Sequence, residues 1–214
     1  CVLILSLICS GLTVFATTIT GAVDTDNFVR GVDVSTLDML EDLGARFYQN
    51  NVESDALTIL KNNGANYVRL KLWVDPYDEN GNPYGGGNND YATTLALARR
   101  AKNLGMGVLI DFHLSDFWTD PANQIKPKAW KDLSYSELKT TLYNYMKDTL
   151  NNFAAAGIVP EMVQVGNEIS TGILHDDGKV GNGNEDFSNL AGLLESAIAG
   201  VRASSASNTK IILH

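Results

Sequence analysis

The chain has 214 residues, enough for one substantial core or for part of a larger domain. Its composition is ordinary for a globular protein, 44% hydrophobic and 19% charged, which excludes a low-complexity or disordered chain. A formal net charge of −9 speaks against nucleic acid as a partner, because phosphate binding needs clustered Lys and Arg.

Residues 1–23 carry no charge and open on the apolar run from Cys1 to Ile8. This is the h-region pattern of a secretory signal, with Ala16 and Ala22 as cleavage positions. Apolar character fades after Phe15, short of the roughly 20 residues of a membrane span. The segment therefore reads as a cleaved signal peptide, and the protein as secreted, with no membrane association afterwards. It lacks an initiating Met and a basic n-region, so an incomplete N-terminus is expected. Cys1 and Cys9 both fall here, which leaves residues 24–214 without a disulfide or a thiol nucleophile.

From Asn27 onward short apolar runs alternate with amphipathic ones. Strands are expected at 28–34, 66–73, 106–113, 162–168 and 209–214, with near-continuous apolar stretches typical of parallel strands covered on both faces. Helices are expected at 91–103, from Ser134 onward and at 186–202. Ser134-Tyr135-Ser136-Glu137 is a capping box, and Leu138, Leu142, Tyr145, Met146 and Leu150 share one face behind it. Gly64, Gly105 and Gly157 each stand between a helix and the next strand, where a left-handed residue ends the helix. The links before the strands are short. The links after them (74–90, 114–133 and 169–185) are long and polar, and Gly85-Gly86-Gly87 reads as a flexible turn in the first.

That asymmetry is the plan of a (β/α)8 barrel, whose active site is built at the C-terminal ends of the strands. A doubly wound sheet would favour a G-x-G-x-x-G loop after the first strand, and Gly31-Val32-Asp33-Val34-Ser35 does not supply one. Five units account for the chain where a closed barrel has eight, so a TIM barrel truncated after about its fifth strand is expected over residues 24–214.

Glu168 closes the run Val163-Gln164-Val165-Gly166-Asn167, and is the candidate general acid/base with Asn167 beside it to meet a sugar hydroxyl. A strand-end carboxylate also serves as a helix cap or an ion-pair partner. Arg69 lies inside the second strand, where an unpaired charge is costly. It holds a catalytic carboxylate or closes a structural ion pair. The third strand runs into Asp111-Phe112-His113-Leu114-Ser115-Asp116-Phe117-Trp118; Trp118 and Trp73 are the candidate platforms for a sugar face, with core packing the commoner role of any single Trp. The three histidines show no metal-ligand spacing, His175 reads as exposed, and Asp176-Asp177 reads as a turn, so no metal is expected. No G-x-S-x-G occurs.

These stretches, together with Arg30 to Ser35, Val68 to Pro76 and Pro127-Lys128-Ala129-Trp130, resemble glycoside hydrolase family 53, the arabinogalactan endo-β-1,4-galactanases. The D-F-H-x-S-D-F-W-x-D-P string is specific to that family. The resemblance covers Phe28 to His214 and implies a retaining endo-glycosidase acting on the β-1,4 bonds of pectic galactan or arabinogalactan. It makes Glu168 the proton donor, has Asn167 contact the substrate 2-hydroxyl, and has Arg69 steady the nucleophile. His113, Asp116 and Trp118 would line the subsites nearest the cleaved bond, with Asp33 and His214 at neighbouring strand ends. The nucleophile of the family is a second Glu on the seventh strand, for which no residue here qualifies, so this chain alone is expected to be inactive. No cofactor is implied, because the calcium site of some relatives belongs to loops beyond residue 214. The expected partner is a polysaccharide, and a monomer is the default. A β-mannanase or β-glucanase built on the same barrel is the alternative reading, as is a non-catalytic carbohydrate-binding fragment.

Overall fold

The apolar runs become short strands that pair in parallel, each with the run before or after it in the chain. The computed structural model describes residues 28–214 apart from Asn182 and Asn184. The expected signal segment, with Cys1 and Cys9, lies outside the described residues. Strands β1 (Gly31–Asp33), β2 (Tyr67–Leu72), β3 (Gly107–Phe112), β4 (Met162–Val165) and β5 (Lys210–Ile212) form one parallel sheet in chain order. The order never reverses, which separates the sheet from a doubly wound one.

Two short helices, α1 (Leu37–Asp42) and α2 (Ala56–Asn62), lie between β1 and β2. Single helices fill the later crossovers: α3 (Tyr91–Asn103), α4 (Tyr135–Ala155) and α5 (Ser188–Arg202). The capping box of α4 forms in full, with Ser134 N–H donating to Glu137 Oε2 at 2.8 Å. Gly64, Gly105 and Gly157 all take positive φ (93°, 66° and 82°), as the stop signals require. The helices α1 and α2, and the two-residue hairpin Tyr48–Gln49/Val52–Glu53 between them, carry too few residues for a readable period.

The core sits between sheet and helices. Val68, Leu70 and Leu72 of β2 and Val108, Ile110 and Phe112 of β3 are fully or almost fully buried there. They meet Leu97 and Ala101 of α3 and the Leu138–Leu142–Met146–Leu150 stripe of α4. The alternate positions of the strands face the other way, and they carry the polar residues of the site.

Outside the core, Arg100 of α3 grips Glu41 of α1 through two bonds (2.7 and 2.9 Å) and Asp55, the N-cap of α2, through one (2.6 Å). Removing it as Arg100→Ala is expected to lower stability by about 1–2 kcal/mol, the range for a partly exposed, multiply bonded charge. Urea unfolding measures this, and Arg100→Lys should recover less than half, because an ammonium cannot span both carboxylates.

Two expectations need correcting. The fourth strand ends at Val165, and not at Glu168, because Gly166 (φ 79°) turns the chain out of the sheet after a last ladder bond to Phe112 O at 2.9 Å. The triple glycine is a packed turn: Gly87 is buried, and a Cβ on it would meet Ser35 O at 2.9 Å.

Candidate active site

Parallel strands in sequential order place all five C-terminal ends on one side, and register decides which side chains meet there. Asp33 pairs with Arg69 across β1 and β2. One rung further on, Lys71, Asp111 and Gln164 stand side by side on β2, β3 and β4. Arg69 reaches from its own rung into the next. Its Nη1 donates to Asp33 Oδ2 (2.7 Å), Nη2 to Asn167 Oδ1 (2.7 Å), and Nε to Gln164 Oε1 (3.3 Å). Nη2 also lies 2.6 Å from Asp111 Oδ2. Lys71, itself buried, adds a 2.6 Å pair to Asp33. Two cations thus face two carboxylates beneath the strand ends, which is what allows these charges to be buried.

Burial opposes ionisation of Asp33, but hydrogen bonds from Lys71 and Ser35 outweigh it and hold its carboxyl below the usual range. A group with a depressed folded-state pKa stabilises the fold above its unfolded value, and that contribution is lost as pH falls through the folded value. Stability should therefore decline below about pH 3.9, the unfolded value. Acid titration of thermal unfolding should show a shallower decline for Asp33→Asn than for the native protein.

Asp111 is completely buried. Its Oδ2 lies 3.0 Å from His113 Nε2, although neither this contact nor that with Arg69 is aligned as a hydrogen bond; the coulombic attraction comes from the Arg69 guanidinium. On the other side of the ring, Thr119 N–H donates to His113 Nδ1 at 3.0 Å. A neutral imidazole accepting at Nδ1 carries its proton on Nε2.

Asn167 is 3% exposed and held at both ends. Its Oδ1 accepts from Arg69 and, at 3.3 Å, from Gln164, while Nδ2 donates to Thr119 O at 2.7 Å. One N–H of the amide is left to offer a ligand. Glu168 follows in a left-handed conformation (φ 52°, ψ 52°), which costs a residue with a side chain about 1–2 kcal/mol. It is half-buried, and its carboxylate has no hydrogen-bond or ion-pair partner among the described residues. Every other carboxylate nearby is committed.

Asp33, Arg69, Trp118, Asn167, Glu168 and His214 line one cleft of about 730 Å³ at the strand ends. Trp118 is 43% exposed and has the Lys71 ammonium 4.5 Å from its ring centroid, a cation–π contact that fixes the indole. His113 lies buried beneath the cleft and does not line it. Asp116 is turned away: it accepts from Asp75 N (3.0 Å) and Lys128 N (2.8 Å), tying two loops, and borders a second hollow of about 710 Å³ beyond Trp118. Trp73 is not a platform, since it is 1% exposed under Phe117, with the ring centroids 4.8 Å apart. His175 is half-buried, not exposed, with Nε2 2.9 Å from Thr171 O.

Sequence reasoning passed over Lys71, Asp111 and Gln164. Their signal was alternation, because Arg69 and Lys71, like Asp111 and His113, are two apart and so share a strand face. Among the described residues no group of three or more His, Cys, Asp or Glu is placed to hold a metal ion, and no helix is long and apolar enough to cross a membrane.

A solved structure of the Ignisphaera aggregans GH53 catalytic domain is 47% identical, with a TM-score of 0.84 over 91% of this chain and 52% of that one. A structure of fungal β-1,4-galactanases is 39% identical, with a TM-score of 0.78, over 87% of this chain and 53% of that one. The endo-beta-1,4-galactanase of Bacillus subtilis (strain 168) is 43% identical over 189 residues, which are 88% of this chain and 42% of that protein. The chain spans about half the length of the relatives it matches. Its five βα units are consecutive units of their (β/α)8 barrel. Residues 29–214 match the family model described as glycosyl hydrolase family 53, and the chain belongs to that family.

Proposed function

We propose that this chain is the acid/base half of a secreted, retaining endo-β-1,4-galactanase that cleaves pectic galactan or arabinogalactan side chains. The observation that carries the reading is Glu168, the one cleft carboxylate without a partner among the described residues, set beside a fully anchored Asn167. A proton donor must be able to change its charge. A carboxylate already bonded to two cations, as Asp33 is, cannot do so cheaply.

In the reaction Glu168 protonates the departing glycosidic oxygen while a second carboxylate, about 5–5.5 Å away, attacks the anomeric carbon. Glu168 then takes a proton from the water that releases the sugar. The free N–H of Asn167 faces the sugar hydroxyl next to the breaking bond, and Trp118 stacks on the ring. The family places the attacking carboxylate on a seventh strand, so catalysis belongs to the whole protein. The names of the relatives favour galactan over the β-mannan and β-glucan alternatives. The uncharged apolar segment 1–23 supports export.

Two measurements on the full-length protein test this. Digestion of β-1,4-galactan, β-mannan and β-glucan in parallel should release oligosaccharides from galactan alone; preferential release from either rival polymer would overturn the substrate. Proton NMR of the first product should show the β-anomer before mutarotation, and an α-anomer would overturn retention.

A further inference from the structure

Glu168 occupies a backbone conformation that its own side chain does not favour, so neighbouring groups must hold it there. The groups that do so come from the loop after β3. Gln124 is 2% exposed and lies far along that loop. Its side-chain amide nitrogen donates to Asn167 O at 2.8 Å, to Glu168 O at 3.3 Å and to Asp120 O at 3.2 Å. Two consecutive carbonyls of the left-handed turn therefore converge on a single side-chain nitrogen. With two hydrogens and three acceptors, at least one hydrogen is shared. That arrangement tolerates no donor-free replacement.

The same loop closes the turn from a second side. Thr119 accepts from Asn167 Nδ2 at 2.7 Å, and its hydroxyl donates to Asn167 O at 3.4 Å. Beyond Glu168 the peptide is fixed by the segment that follows β5, where Ile169 N–H donates to His214 O at 2.8 Å. Gln124 is in turn anchored at its backbone, since its carbonyl accepts from His175 N at 2.7 Å. Thr171 Oγ1 donates to Pro121 O at 2.6 Å, and Lys126 pairs with Asp177 at 2.7 Å. The loops after β3 and β4 are thus stapled into one wall, and Gln124 is where that wall touches the backbone of Glu168.

We infer that Gln124 is a positioning residue for the acid/base: by gripping the carbonyls of Asn167 and Glu168 it fixes the left-handed turn, and so sets where the Glu168 carboxyl meets the leaving oxygen. Gln124 touches no substrate. It acts through the backbone on Glu168, and the inference rests on the acid/base reading of that residue.

A misplaced acid has a kinetic signature that general weakening of the fold lacks. Protonation matters most when the leaving group is a sugar and least when it is an acidic phenol. A small anionic nucleophile such as azide also bypasses the base step. In the full-length protein, Glu168→Ala calibrates the signature on β-1,4-galactan and on aryl β-galactobiosides with leaving phenols of graded acidity, with and without azide. Gln124→Leu should show the same pattern at reduced amplitude: kcat on galactan down about 30–100-fold, as for an ångström-scale misplacement, KM little changed, and dinitrophenyl galactobioside turnover nearly kept once azide is present. If leucine leaves the protein unfolded, Gln124→Asn, which keeps the amide donor but shortens its reach, is read in the same way. Equal proportional losses on every leaving group, or no loss, while Glu168→Ala shows the signature, would overturn the positioning role. A Glu168→Ala variant without the signature would instead overturn the acid/base reading, and the inference with it.

Discussion

Glu168→Gln in the full-length protein is expected to lower kcat/KM on β-1,4-galactan by about 10²–10⁴-fold, the usual contribution of a positioned general acid. The side chain changes by one group and keeps its size. No partner is lost either, because none holds the carboxylate among the described residues. Thermal stability should therefore stay close to that of the native protein, which separates lost chemistry from lost fold. The loss should also depend on the step observed. A dinitrophenyl galactobioside needs no proton to leave, so its first step survives. The second step still needs a base, so the covalent intermediate should accumulate as a burst. A uniform loss across substrates, with no burst, would show that Glu168 serves binding or structure and not proton transfer.

Glu168 was legible in the sequence as a candidate because a carboxylate ending an apolar run is a local pattern, and it does line the cleft at the strand ends. The capping box at Ser134 and the three glycine stops were legible for the same reason: each needs only four or five residues to be recognised. What the sequence hid depends on register and on distant contacts. Lys71 and Asp111 become partners of one site only when β2 and β3 align in a single rung. Gln124 meets a carbonyl 43 residues away, and nothing in its own neighbourhood marks it. Asp116 and Trp118 stand two apart in one motif, yet a loop does not keep a strand's alternation, and they diverge to different surroundings. Trp73 shows the same limit, since its burial is decided by Phe117 and the Gly86 turn packing over it.

Arg69→Met is expected to produce the largest structural loss, about 3–5 kcal/mol, because removing one partner strands a buried charge. Asp33 would keep Lys71, but Asp111, completely buried, would be left with only the neutral His113. Asn167 would lose its 2.7 Å donor, and its amide would become free to turn, so under the proposed function galactan hydrolysis by the full-length protein should fall even at temperatures where the variant is folded. Arg69→Lys should not restore either property. A single ammonium carries a full charge but cannot reach Asp33, Asn167, Asp111 and Gln164 from one point, as the guanidinium fork does. The decisive comparison is the double variant Arg69→Met/Asp111→Asn. If the cost of losing Arg69 is mainly the stranded carboxylate, neutralising it should return about 1–3 kcal/mol in denaturant unfolding, a coupling of the size seen within one charge network. Strictly additive losses would mean that Asp111 does not depend on Arg69.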